Sequence, residues 1–297
     1  MPSNAQFILV ERQDSNQTEE KEWLFVIKPQ TNFLDLNLQE IWGYRDLLIM
    51  FIKRDFIVKF KQTILGPAWF IIQPLMTTLV FTVIFGKVGR LPTDGIPHIL
   101  YYMSGVLTWH YFADCLNASS NLFFTNSKLF GKVYFPRLII PISVIISNLM
   151  KFGIQFMMFL GFILYYHFKG FNANFTLIAM LLPLLLLMIA LLALGFGCII
   201  SSITVKYRDL QMLLKFGIQL AMYGTPVVVP LSRVQSWKPV ILANPMTSII
   251  ETFRYGFLGE GVFEWSFLAY SFIFSIVICF LGLIAFNQTE KSFIDVV

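Results

Sequence analysis

His110 and Asp114 stand four residues apart, and so on one face of any helix that contains them. Such a pair could pass a proton between imidazole and carboxylate, the work of a membrane glycosyltransferase or acyltransferase. The alternative is an intrahelical hydrogen bond that makes Asp114 cheaper to bury. His98 and His167 show no metal-ligand spacing, and Cys115, Cys198 and Cys279 lie in apolar segments without close pairing. Neither a metal centre nor a disulfide framework is expected. A phosphate-binding loop needs Gly-x-x-x-x-Gly-Lys followed by Ser or Thr. Gly86-Lys87 has Phe81 at the first glycine position and Val88 after the lysine, while Gly131-Lys132 has Asn126 and Val133. ATP, if used, is hydrolysed by another chain.

Two further charge groups call for partners. Lys151 lies thirteen residues beyond Leu138, roughly 20 Å along a helix and near a bilayer midplane. Asn148 and Gln155 continue a polar stripe on its side of the helix. A lysine at that depth costs about 2.5–3.5 kcal/mol and faces protein or water rather than lipid. The expected partner is Asp114 or carbonyls of a neighbouring span, with contact to an anionic lipid as the alternative. Glu251 and Arg254, three residues apart, read as a local ion pair.

The elements that must hold these groups are set by composition. Of 297 residues, 57% are hydrophobic and 13% charged, about half the charge of a soluble domain. No Asp, Glu, Lys or Arg occurs from Gln62 to Gly86, Gly95 to Ala113, Gly170 to Val205, Phe216 to Ser232 or Trp265 to Thr289, and Lys151 alone interrupts Leu138 to Phe168. Each stretch can hold one span of about 20 residues. The fold expected is all-α and integral to a membrane, with six transmembrane helices near 66–86, 97–117, 138–168, 177–203, 213–232 and 266–287. Five or seven spans are the alternatives.

With both termini cytoplasmic, twelve basic residues fall inside, from Arg45 to Lys291, against six outside, as the retention of Lys and Arg on the cytoplasmic side requires. The net charge of +5 reflects this bias and contact with anionic lipid, not a nucleic-acid partner. The first forty residues are polar, with Glu19, Glu20, Lys21 and Glu22 in a row and no signal-peptide pattern, so no cleaved leader is expected. Residues 1–38 read as a cytosolic segment and 39–290 as the membrane domain. Ile41, Tyr44, Leu48 and Phe51 recur at helical spacing before the first span. They form an amphipathic helix, either lying in the interface or packed on the cytosolic ends of the spans. Arg233 to Glu264 is too charged to span but contains apolar and helical stretches, which fit short external gate helices.

A longer pattern runs through these blocks. It comprises Tyr44-Arg45-Asp46-Leu47-Leu48, Lys61-Gln62-Thr63-Ile64-Leu65-Gly66-Pro67-Ala68-Trp69, Gln73-Pro74, Phe85-Gly86, Lys132-Val133-Tyr134-Phe135-Pro136-Arg137, Lys206-Tyr207-Arg208-Asp209 and Asn244-Pro245-Met246. It resembles the ABC-2 type permeases of polysaccharide exporters, the Wzm-type permeases for O-antigen above all, with teichoic-acid and capsule permeases as near relatives. The resemblance implies a six-span homodimer with two separate ATPase subunits, exporting a lipid-linked glycan from a bacterial inner membrane. ATP and Mg would sit on the ATPase and no cofactor on this chain. It further implies that Lys132, Arg137, Tyr207, Arg208 and Asp209 couple to the ATPase. Trp69, Trp109, Tyr111 and Tyr223 become candidates for the glycan path, with interface anchoring as the other reading. The cytosolic basic cluster of Lys53, Arg54, Lys59 and Lys61 could attract a lipid pyrophosphate, although topology alone predicts it. An exporter of a drug or simple lipid, and a membrane enzyme of glycan synthesis, are the rival functions.

Overall fold

The computed structural model describes residues 42–58, 64–122, 138–204, 209–233 and 237–294, with side chains to 289. All regular structure among them is helical. The helices are α1 (Arg45–Val58), α2 (Trp69–Phe81), α3 (His98–Ser120), α4 (Ile139–Phe168), α5 (Leu182–Thr204), α6 (Leu210–Tyr223), α7 (Lys238–Ala243), α8 (Pro245–Leu258) and α9 (Trp265–Ile294). A 3-10 turn, Gly66–Ala68, leads into α2, and a π-helical stretch, Thr82–Val88, ends it. The expected segment 1–38 lies outside the described residues.

Among the described residues, four helical stretches are long and apolar enough to cross a bilayer: Gly66–Val88, Ile139–Phe168, Leu177–Thr204 and Trp265–Thr289. The two other expected spans differ for separate reasons. α3 has 23 residues, about 34 Å of helix and enough for the hydrocarbon core, but it carries His110, Asp114, Asn117 and several Ser and Thr. It packs on α2, α4, α5, α6 and α8, and a helix enclosed by others need not be apolar all round. The helix expected over 213–232 is a correction: α6 stops at Tyr223 after 14 residues, about 21 Å. Gly224 follows, Pro226 cannot donate to the Met222 carbonyl, and Pro230 cannot donate to that of Pro226. The chain continues as turns with Thr225, Val227 and Val228 buried, so the irregular backbone is covered by protein as a dry environment demands.

α1 buries Phe51 among Leu122, Ile139, Ile140, Leu194, Cys198 and Phe286, with Tyr44, Leu47 and Leu48 packed alongside. It therefore sits on one end of the helix bundle, while Ile49, Met50 and Ile57 remain exposed on its other side. The packed face fits the expectation of a helix seated on the ends of the spans. Asp55, on the packed side, accepts a 2.9 Å hydrogen bond from Arg54 Nε.

Between α7 and α8, Asn244 accepts from Met246 N through its side chain, Pro245 occupies the first turn, and Gly259 closes α8 with a φ of +79°. This is a helix with matched start and stop signals. Its buried flank is tied to α9 by Ser248 and Ser271, whose hydroxyls lie 2.6 Å apart.

α5 approaches two neighbours backbone to backbone. A Cβ on Gly195 would lie 2.5 Å from the Ile278 carbonyl of α9, and one on Gly197 would overlap Ser119 of α3. Small residues at such crossings allow the dispersion contacts that replace the hydrophobic effect in lipid. Gly195→Val should lower the thermal midpoint in detergent through overpacking worth about 1–3 kcal/mol. Gly153→Ala, where a Cβ meets nothing within 4 Å, should raise it by the helix-propensity difference of about 1 kcal/mol. Equal midpoints would remove the close-approach account.

Candidate functional site

Two buried polar nodes organise the interior. The first begins with Pro74 inside α2. Its ring has no N–H to offer the Phe70 carbonyl one turn earlier. Gln155 of α4 supplies the missing donor, its Nε2 lying 3.0 Å from Phe70 O. One turn away Lys151, 8% exposed, donates to Asp114 Oδ2 of α3 at 2.5 Å, with its ammonium 5.4 Å from the Phe70 ring centroid. The polar stripe of α4 thus satisfies a carbonyl on one neighbour and a carboxylate on another. The partner of Asp114 is Lys151 across the helix crossing, an ion pair in place of the hydrogen bond to His110 that the spacing suggested.

The second node lies around Arg254 of α8, which is 1% exposed. Its Nη1 donates to Glu251 Oε1 at 2.7 Å, its Nη2 to the Pro226 carbonyl at 2.9 Å, and its Nε to Ser104 Oγ at 3.3 Å. The guanidinium carbon stands 3.8 Å from the Tyr101 ring centroid. Tyr101 adds a second donor, its hydroxyl 3.3 Å from Pro226 O. The remaining Glu251 oxygen, Oε2, accepts from Val262 N at 3.0 Å. A planar, permanently charged fork suits this site in a way that lysine would not. The local ion pair read from sequence is present, but its burial and its reach to α3 and to the break after α6 were not foreseen. The signal was there: a full charge pair inside an apolar block, downstream of two prolines spaced so that one orphans the other's carbonyl.

The aromatic candidates separate. Trp109 and Tyr111 are each 3% exposed and belong to the central core, Tyr111 packing on Phe152 and Trp109 on Phe112. Both rings are packed inside this chain and present no open face. Trp69 and Tyr223 are about half exposed, at 50% and 49%, on α2 and α6. Of the coupling candidates, Asp209 is exposed at the start of α6 and its carbonyl accepts from Met212 N and Leu213 N. Lys132, Arg137, Tyr207 and Arg208 lie outside the described residues. No group of three or more His, Cys, Asp or Glu could hold a metal ion among the described residues.

Removing one member of a buried pair strands the other charge, a loss of about 3–5 kcal/mol. Arg254→Met should therefore lower membrane abundance and thermal midpoint sharply, and Arg254→Lys should recover little because it loses the fork. Lys151→Leu should reduce abundance less, because the Asp114 side chain it leaves is 36% exposed and solvent screens its charge, with Lys151→Leu/Asp114→Asn recovering part of the loss. Undiminished abundance in Arg254→Met and Lys151→Leu would show that the two nodes carry no structural weight.

The ABC-2 type transporter family matches residues 46–258, from the first turn of α1 to the end of α8, so that both nodes fall within the match. Over 268 residues the chain is 26% identical to an O-antigen export system permease protein RfbA of Klebsiella pneumoniae, covering 89% of this chain and 100% of that protein. It is 29% identical over 223 residues to an O-antigen export system permease protein RfbA of Myxococcus xanthus, covering 73% and 82%. It is 24% identical over 246 residues to the polysialic acid transport protein KpsM of Escherichia coli, covering 80% and 92%. The extent of the family match, over most of the chain and its buried polar nodes, places this protein in the ABC-2 type transporter family.

Proposed function

We propose that this chain is the transmembrane subunit of an exporter that moves a lipid-linked, O-antigen-like polysaccharide across a bacterial inner membrane. The observation that carries the reading is the alignment with an O-antigen export permease over 89% of this chain and all of that protein. Wholesale alignment favours a shared cargo class over a drug or a simple lipid. The engagement of Asp114 by Lys151 favours a structural role for that carboxylate over the acid–base role on which the rival enzyme reading drew.

In this reading six spans are formed by the four long apolar stretches, by α3 in their midst, and by α6 together with the buried turns that follow it. Both termini are cytoplasmic. α7 and α8 are the external gate helices, and the Arg254 node fixes α8 against α3 and the end of the broken span. The subunit works as a homodimer with two ATPase subunits that supply ATP hydrolysis. The closed two-fold dimer is the commonest symmetric assembly, and one helix bundle is too small to enclose a sugar chain. Trp69 and Tyr223, with open ring faces on α2 and α6, remain as path residues. Lys132, Arg137, Tyr207, Arg208 and Asp209 transmit ATPase closure, Asp209 from the exposed start of α6. The exposed basic residues of α1 attract the anionic head of the cargo.

Native mass spectrometry of the chain co-expressed with its ATPase should show a 2:2 complex, and reconstituted vesicles should export glycan only with ATP. A monomer that transports alone would overturn the proposal. Arg208→Glu combined with Asp209→Lys should leave abundance unchanged but abolish export and substrate-stimulated ATP hydrolysis. Wild-type stimulation and export in that variant would remove the coupling role.

A further inference from the structure

A groove of about 520 Å³ opens beside the C-terminal half of α4, lined by Ile99, Met158, Gly161, Phe162, Tyr165 and Tyr166. Its depth follows from helix geometry. The lining on α4 runs from Met158 to Tyr166, about 12 Å of rise, and with Lys169 just beyond it the reach is about 16 Å, close to one leaflet of a hydrocarbon core about 30 Å thick. Gly161 keeps the wall open, because a Cβ there would meet nothing within 4 Å. The groove is apolar at Met158 and Phe162, and Tyr165 and Tyr166 stand toward its outer end, where amphipathic rings sit at headgroup level. Just beyond them Lys169 is exposed, its ammonium 4.8 Å from the Tyr165 ring centroid. No acidic side chain lines the groove.

We infer that this groove binds one acyl chain of an anionic phospholipid, with Lys169 at the headgroup phosphate. The occupant follows from three features in register: a reach from Met158 to Lys169 close to one leaflet, an apolar lining, and a cation at the rim unopposed by any lining carboxylate. The site lies between α3 and α4, whereas the half-exposed path residues Trp69 and Tyr223 stand on α2 and α6. It does not depend on the cargo proposed above.

The test is native mass spectrometry of the purified protein titrated with phosphatidylglycerol or phosphatidylcholine. Wild type should retain phosphatidylglycerol in preference. Gly161→Leu, whose side chain begins in open space and should not disturb folding, should lose that preference by filling the groove. Lys169→Gln should weaken retention of phosphatidylglycerol roughly fivefold, the factor equivalent to about 1 kcal/mol for one cationic residue at a lipid surface. Equal retention of the two lipids by wild type would overturn the inference, as would an undiminished preference in Gly161→Leu or unchanged retention in Lys169→Gln. Stronger retention of a polyprenyl phosphate in a parallel titration would assign another occupant and overturn it as well.

Discussion

A backbone carbonyl that proline deprives of its helical donor must find another where water is excluded, and this chain meets that constraint at Phe70 and at Pro226. Leaving a peptide oxygen unsatisfied in an apolar interior costs several kcal/mol. The Phe70 carbonyl, orphaned by Pro74, takes Gln155, and the Pro226 carbonyl, out of reach of Pro230, takes Arg254 and Tyr101. Each solution recruits a side chain from a different helix. A local backbone defect is thereby converted into a long-range tertiary contact, α2 to α4 in one case and the end of α6 to α3 and α8 in the other.

Packing around these contacts separates polar from apolar duty by position. α3, touched by five other helices, holds the carboxylate, hydroxyls and amide that an outer helix could not carry. Other helices supply the apolar exterior, with Met157 and Leu164 on α4 and Ile273 and Phe280 on α9 exposed. α5 closes against both α3 and α9 through glycines, so a polar centre and an apolar rim are drawn together without bulky side chains between them.

The charge-free blocks made the helical membrane architecture legible, because length and apolarity are properties of the sequence that lipid reads directly. The Lys151–Asp114 pair could also be anticipated, since a lysine at that depth has few affordable neighbours and Asp114 is the one acidic residue in the adjacent helix. Other features depend on tertiary context. Pro226 and Pro230 announce a break, yet continuous apolarity over 213–232 pointed to an unbroken helix, and only the donors on α3 and α8 make the break tolerable. Trp109 and Tyr111 have the chemistry of a sugar path, but the face that a ring presents is fixed by neighbours such as Phe112 and Phe152. The coupling loops fall largely outside the described residues, and for them the sequence motifs stand alone.

The burial of Glu251 and Arg254 has a consequence for how the protein responds to its medium. Counterions shield charges that water can reach, with a Debye length of about 8 Å at physiological ionic strength, but they do not enter a site whose side chains are 2% and 4% exposed. The exposed basic residues of α1, among them Arg45 and Lys53, are screened as salt rises. Among the described residues, the exposed charges of α1 follow the ionic composition of their surroundings, while the Glu251–Arg254 pair is far less sensitive to it.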